Sequence, residues 1–172
     1  MDGIDWASSA MVAARTRLDI ATGNLANVSS GGFRAVVARG RLTAHGAEIT
    51  RVASSEHGSL VHTGRPSDLA IVGDGSFRVR DGGGNVTDTR NGAFTRDRSG
   101  VLRDDAGRAL VATRLAPGAS VRTGYLETAN VNAIAEMVDV LGAQRSFESA
   151  EKVVAAIDGV NQKAGNDVAR IK

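Results

Sequence analysis

The sequence predicts an α+β chain in which long N- and C-terminal helices form a coiled-coil layer around an inserted antiparallel β module. Three observations predict it. From Val140 the apolar residues run Val140, Ala143, Phe147, Ala150, Val154, Ile157, then Asn161, Ala164, Val168, Ile171, in alternating steps of three and four, the heptad period of a coiled coil. Near the start, Ile4, Ala7, Met11, Ala14, Leu18, Ala21, Leu25 and Val28 follow the same steps. Between them, from Leu60 to Gly118, short apolar groups are cut by turn signals about every ten residues, which predicts hairpins. The segments implied are 1–33, N-terminal helix and turn; 34–123, β-rich module; and 124–172, C-terminal long helix.

The first helix is predicted over residues 3–28, with Asp2 or Asp5 favourable at its positive end and Asn27 near its stop. Its large residues Ile4, Met11, Leu18 and Leu25 recur every seventh place and alternate with alanines. An alanine row allows close approach but buries little apolar surface, so this seam is expected to be marginal alone. A simple helical hairpin closing an ordinary domain is the plainer alternative to completion by other copies. Asn24, Asn27, Ser29, Ser30, Gly31 and Gly32 then end the helix, and Phe33 is expected to pack beneath the turn. Residues 34–60 carry a weaker pattern, Val36, Val37, Leu42, Ile49 and Val52, consistent with some strand.

The β module follows. Leu69–Val72 and Phe77, Val79 flank Gly73, Asp74, Gly75, and further reversals are signalled at Asp81–Asn85, Asn91-Gly92, Ser99-Gly100 and Asp105–Gly107. Pro117-Gly118 closes it. Residues 125–130 lead into the long helix, with Thr128 or Asn130 as its expected N-cap. Gly142, Gly159 and Gly165 weaken that helix by about 1 kcal/mol each relative to alanine. Glu148 and Lys152 form a favourable i, i+4 pair.

The chemistry is sparse. The chain has 172 residues, 42% hydrophobic, 23% charged and 3% aromatic, with net charge +2, so its core is expected to be aliphatic and alanine-rich. No cysteine is present, which excludes disulfides and thiol nucleophiles. Basic residues are scattered among acids, so nucleic acid is not expected as a partner. The N-terminus shows no cleavable secretory pattern, and no apolar run reaches membrane-spanning length. His45, His57 and His62 lack metal-ligand spacing, although the last two could meet across a bend. Asp74 and the Asp81–Asn85 loop lack the alternating ligands of a calcium loop. Serines lack a nucleophile context, and Gly82–Gly84 precedes no phosphate-binding lysine. Neither a catalytic residue, a cofactor nor a metal is expected, and the chain reads as a non-enzyme.

Asn24, Leu25, Ala26, Asn27, Val28, Ser29, Ser30, Gly31, Gly32 and Phe33 resemble the N-terminal signature of flagellar rod and hook proteins. Gly124, Tyr125, Leu126, Glu127, Thr128, Ala129, Asn130 and Val131, with Glu136–Val138 and Ala143, Gln144, Arg145, Ser146, Phe147, Glu148, resemble that family's C-terminal signature. Thr63–Ile71 and Gly73–Gly75 are similar to a middle segment of the proximal and distal rod proteins. Gly31 stands where the family usually has proline and Ser29 where it usually has asparagine. Longer rod proteins carry a second β domain between the positions of Leu110 and Gly124, where a dozen or so residues remain.

The resemblance implies a structural subunit of the bacterial flagellar basal-body rod, polymerising into a helical tube that transmits torque and encloses the export channel. It implies self-association, contact with other rod and hook axial proteins, export by the flagellar type III apparatus and residence outside the cytoplasm. The expected assembly seam is Ile4, Met11, Leu18, Leu25, Val140, Phe147, Val154, Ile157, Val168 and Ile171. A short hook-type subunit and a secreted β-domain binding module are the alternatives.

Overall fold

The computed structural model describes residues 3–43 and 46–170, side chains excepted at 47 and 164–170. The chain divides into two compact units. One gathers the N-terminal residues to Leu25, the stretch Val36–Ala53 and everything from Ala133 on; the other gathers Ala26–Ala35 and Ser54–Asn132.

The first unit holds α1 (Gly3–Ala26), β1 (Val36–Thr43), β2 (Gly46–Ala53) and α2 (Ala133–Arg170). The buried face of α1 is Ala7, Ala13, Ala14, Ile20, Ala21 and Asn24, mostly alanines, at spacings that share one helix side. At 1.5 Å per residue the 38 residues of α2 run about 57 Å. Its half-buried side follows Glu136, Val140, Ala143, Phe147, Ala150, Val154 and Ile157. β1 and β2 form an antiparallel hairpin with register Val36↔Ala53 to Thr43↔Gly46, which makes strand of the weakly patterned 34–60 region.

α2 begins at Ala133, beyond both residues expected to cap it. Thr128 pairs with Ser59 instead. The Asn130 side chain accepts from the Ala35 amide at 2.6 Å and donates to the Glu56 carbonyl at 2.9 Å. Both are committed to the second unit before the helix starts.

That unit holds β3 (Leu60–His62), β4 (Leu69–Val72), β5 (Gly75–Arg80), β6 (Val86–Thr89), β7 (Thr95–Arg96), β8 (Leu102–Arg103), β9 (Ala109–Leu115), β10 (Ser120–Thr123) and β11 (Tyr125–Glu127). A five-stranded sheet runs in the order β6-β5-β9-β8-β7, while β10 pairs with β4 and β11 with β3. All these pairings are antiparallel. Tyr125–Glu127, expected to lead straight into the long helix, is therefore a strand. The core is Ile71, Phe77, Val79 and Phe94, packed against Leu69, Leu102 and Leu110. Phe77 and Phe94 meet edge to face, ring centroids 5.4 Å apart, the arrangement favoured by the ring quadrupoles.

Three turns repeat one construction. Asp81, Asp97 and Asp104 each donate their amide to the carbonyl four residues on and accept at their own carbonyl from a glycine three residues on. Each also accepts, at Oδ1, from the amide of the residue after that glycine, at 2.9 Å in all three. The glycines, Gly84, Gly100 and Gly107, have φ of 89°, 86° and 76°. This Asp-x-x-Gly hairpin turn, a type I turn ending in a left-handed residue, closes β5–β6, β7–β8 and β8–β9. Its hydrogen bonds, led by the Asn85 side chain for Asp81 and the Ser99 hydroxyl for Asp97, hold both carboxyls below the usual range.

Candidate functional site

In the first unit the helices face each other across small residues. Ile20, Ala21 and Asn24 line a cleft of about 500 Å³ with Glu136, Asp139 and Ala143, while Trp6, Ala7 and Ala10 share an open groove with Ala150 and Val153. A Cβ on Gly3 would stand 3.2 Å from Ile157 Cδ1. Early α1 thus lies by late α2, and the two helices run antiparallel. Asn24, a signature residue, fixes the far end: its side chain donates to the Val36 carbonyl at 2.8 Å and Glu136 Oε1 at 2.9 Å, and accepts from the Val36 amide at 2.8 Å. Burial raises the Glu136 carboxyl above its ordinary pKa, opposed by the Asn24 hydrogen bond.

The expected seam residues divide by size. Ala7, Ala14, Ala21, Ala143 and Ala150 are buried. Met11, Leu18, Leu25, Val140, Phe147, Val154 and Ile157 are half-buried, and Ile4 is exposed. The side chain of Val168, and all of Ile171, lie outside the described residues, as does His45. Beside this face α2 carries a second apolar stripe in the open: Ile134 is 76% exposed, Met137 53%, Val138 62% and Leu141 55%. Gln144 and Arg145 are exposed on the same helix.

In the second unit the N-terminal signature turn docks onto β11. The Gly32 amide donates to the Glu127 carbonyl at 2.8 Å, and the Phe33 carbonyl accepts from the Asn130 amide at 3.2 Å. Gly32 has φ of 65°, and a Cβ there would lie 2.4 Å from the Arg90 carbonyl carbon; only glycine fits both demands. Asn27 accepts from Ser30 at its backbone and side-chain oxygens. Phe33 is half-buried rather than wholly beneath the turn. The two signatures, about a hundred residues apart, thus meet here: Gly32 and Phe33 from one, Glu127 and Asn130 from the other. Gly124, with φ of 77°, is buried against Gly64 and His62; Leu126 and Val131 are half-buried.

Three family models match in chain order. Residues 4–34 fit flagella basal body rod protein, 70–140 fit the D1 domain of flagellar hook protein FlgE/F/G, and 122–167 fit the C-terminal part of flagellar basal body rod FlgEFG protein. The chain belongs to the flagellar basal-body rod protein family.

Individual relatives agree with this placement. Flagellar basal-body rod protein FlgF of Mesorhizobium japonicum is 35% identical over 125 residues, covering 67% of this chain and 52% of the relative. Flagellar hook protein FlgE of Brucella abortus is 31% identical over 150 residues, 80% of this chain and 37% of the relative. Flagellar basal-body rod protein FlgG of Agrobacterium fabrum aligns over 251 positions at 22% identity, covering 92% and 96%. This chain spans about half the length of the first. The third alignment is longer than the whole chain of 172 residues, so part of that rod protein has no counterpart here.

Sequence reasoning passed over Arg90 and quoted Glu127 and Asp68 only within signature segments, without a role for their carboxylates. Arg90 donates through Nε to Glu127 Oε2 at 2.7 Å, and through its other nitrogens to the carbonyls of Ile71, Gly73 and Gly75. Asp68, buried, accepts from Arg65 at 2.6 and 3.0 Å and from the Thr63 hydroxyl at 2.7 Å. The only sequence cue to the first was a glutamate in mid-signature, between Leu126 and Thr128. No group of three His, Cys, Asp or Glu suited to a metal occurs among the described residues, and no described helix is long and apolar enough to cross a membrane.

Proposed function

We propose that the chain is a structural axial subunit of the flagellar basal-body rod, with a mechanical role and no catalysis. The observation that carries this reading is the ordered match of both terminal helices and the β module to rod and hook families. In this reading the seam formed by Ile4, Met11, Leu18, Leu25, Val140, Phe147, Val154, Ile157, Val168 and Ile171 is completed by neighbouring copies into a coiled-coil inner layer. The long helices of segments 1–33 and 124–172 build that layer, and 34–123 is the β-rich module. A subunit that offers different patches to each neighbour builds an open helical filament. Other rod and hook axial proteins continue the filament, and the subunit reaches its place beyond the cytoplasm through the flagellar export apparatus.

In this reading the unmatched part of the longer rod protein corresponds to a second β domain between the positions of Leu110 and Gly124, a stretch that here holds a tight turn in which the Ala119 amide donates to the Ala116 carbonyl at 3.0 Å. A short hook-type subunit is the second reading, favoured by the hook relative's match over 80% of this chain. Mass spectrometry of detergent-stripped hook-basal bodies tests both. Stoichiometric presence in the rod fraction supports the first, enrichment with the hook supports the second, and absence from both overturns the axial assignment.

A further inference from the structure

The first residue after the signature, Arg34, is held by an unusual acceptor. Its Nη2 lies 3.1 Å from His57 Nδ1, and this is the one hydrogen bond its side chain makes among the described residues. Its Nε is buried without a partner, and its ion pair to Asp74 spans 3.7 Å. A guanidinium has donors only, so the contact requires a lone pair on Nδ1. His57 is then neutral with its proton on Nε2, and Nε2 faces Asp74 Oδ1 at 3.3 Å.

The other charged groups at the ring make a second state available. Glu127 Oε1, on β11, stands 3.7 Å from the same Nδ1 and already accepts from the Gly58 amide at 3.3 Å. Its Oε2 is occupied by Arg90. A proton on Nδ1 would oppose the Arg34 donor at 3.1 Å but point a new donor at a carboxylate oxygen with a free lone pair. Asp74 Oδ1 lies 3.3 Å from Nε2, and Glu56, next in sequence, is exposed with its carbonyl taken by Asn130. Histidine is the side chain whose charge ordinarily changes between pH 5 and 8.

We infer that His57 is a proton-operated latch on Arg34. The neutral imidazole accepts from the guanidinium; the protonated ring turns its Nδ1–H to Glu127 and releases Arg34. The release stays local, because Asn130 pins the backbone on either side, through the Phe33 carbonyl and the Ala35 amide. The latch therefore frees a cation beside the signature turn without unfolding the turn.

Nitrogen-15 NMR of the full chain between pH 7.5 and 5.5 tests this. At the upper end His57 should show a bare Nδ1 and a protonated Nε2. As the ring titrates, exchange of the Arg34 guanidinium protons, referenced to exposed Arg98, should accelerate about fivefold, as for one ordinary hydrogen bond lost. In His57→Asn the amide oxygen stands near the Nδ1 position and does not titrate, so the step should vanish. A neutral ring protonated on Nδ1, or a step that persists in His57→Asn, overturns the latch. The ring pattern is read on the native chain and needs no variant to fold.

Discussion

The Arg90 guanidinium and the Glu127 carboxylate meet at 2.7 Å with side chains only 6% and 2% exposed. Three carbonyls from the β4–β5 reversal take the remaining donors, so the arginine closes the module around a carboxylate whose own backbone carbonyl holds Gly32. Two signature segments and the central sheet depend on this pair.

Removing one partner is expected to be far worse than its ion-pair strength suggests. Arg90→Ala leaves Glu127 charged and desolvated and three carbonyls unpaired, a loss of about 3–5 kcal/mol. Urea unfolding of the two proteins measures it, and a loss under 1 kcal/mol would show that water enters and rescues the carboxylate.

Glycines divide into two groups. Gly32→Ala should destabilise by about 2–4 kcal/mol, combining the left-handed backbone and the overlap with Arg90. Gly142→Ala, where a Cβ meets nothing within 4 Å, should instead stabilise the free chain by about 0.5–1 kcal/mol. If Gly142 admits a neighbouring backbone in the filament, the same substitution should impair assembly. Thermal unfolding alongside a motility assay separates the two effects.

Two carboxyls should give opposite pH responses. Asp68 is held below its ordinary pKa mainly by its hydrogen bond from Arg65, so its stabilisation is complete above the unfolded value near 3.8 and lost as pH falls through the lower folded value. Glu136 is raised by burial, so the native state favours its proton, and this group's contribution improves as pH drops toward its unfolded value. Glu136→Gln keeps an acceptor for Asn24 and removes the half-buried charge. Its melting temperature should exceed that of the native chain at pH 7, with the gain fading toward pH 4; a constant difference across that range would point to packing instead.

How much of this could be read from residues follows from the range of each interaction. The hairpin turns were readable because Asp and Gly three apart bond within the turn itself, and the helices because a period needs only one chain. The 36–53 hairpin was faint because its faces are mostly exposed and do not alternate cleanly. Thr128 and Asn130 look like helix caps locally, yet Ser59, Ala35 and Glu56 take their hydrogen bonds first. Arg90 and Glu127 are 37 residues apart, and nothing in either neighbourhood announces the other. Alanines with Ile20 and Asn24, not the large residues of the heptad, line the buried face of α1, and Met11 and Leu18 sit half-buried at its edge.

The exposed stripe on α2 allows the axial reading to be tested without damaging the fold. Leu141→Asp changes a residue 55% exposed, so it should alter the chain's own stability by no more than about 0.5 kcal/mol. Ile157→Asp, on the half-buried side, should lower that stability as well. If copies pack along α2, both variants should abolish incorporation into basal bodies, but only the second should shift the unfolding curve of the free chain. Normal motility with Leu141→Asp would leave that stripe out of the filament contacts and confine the seam to the face shared with α1. Loss of motility with an unchanged unfolding curve would place Leu141 at a contact that the single chain does not make.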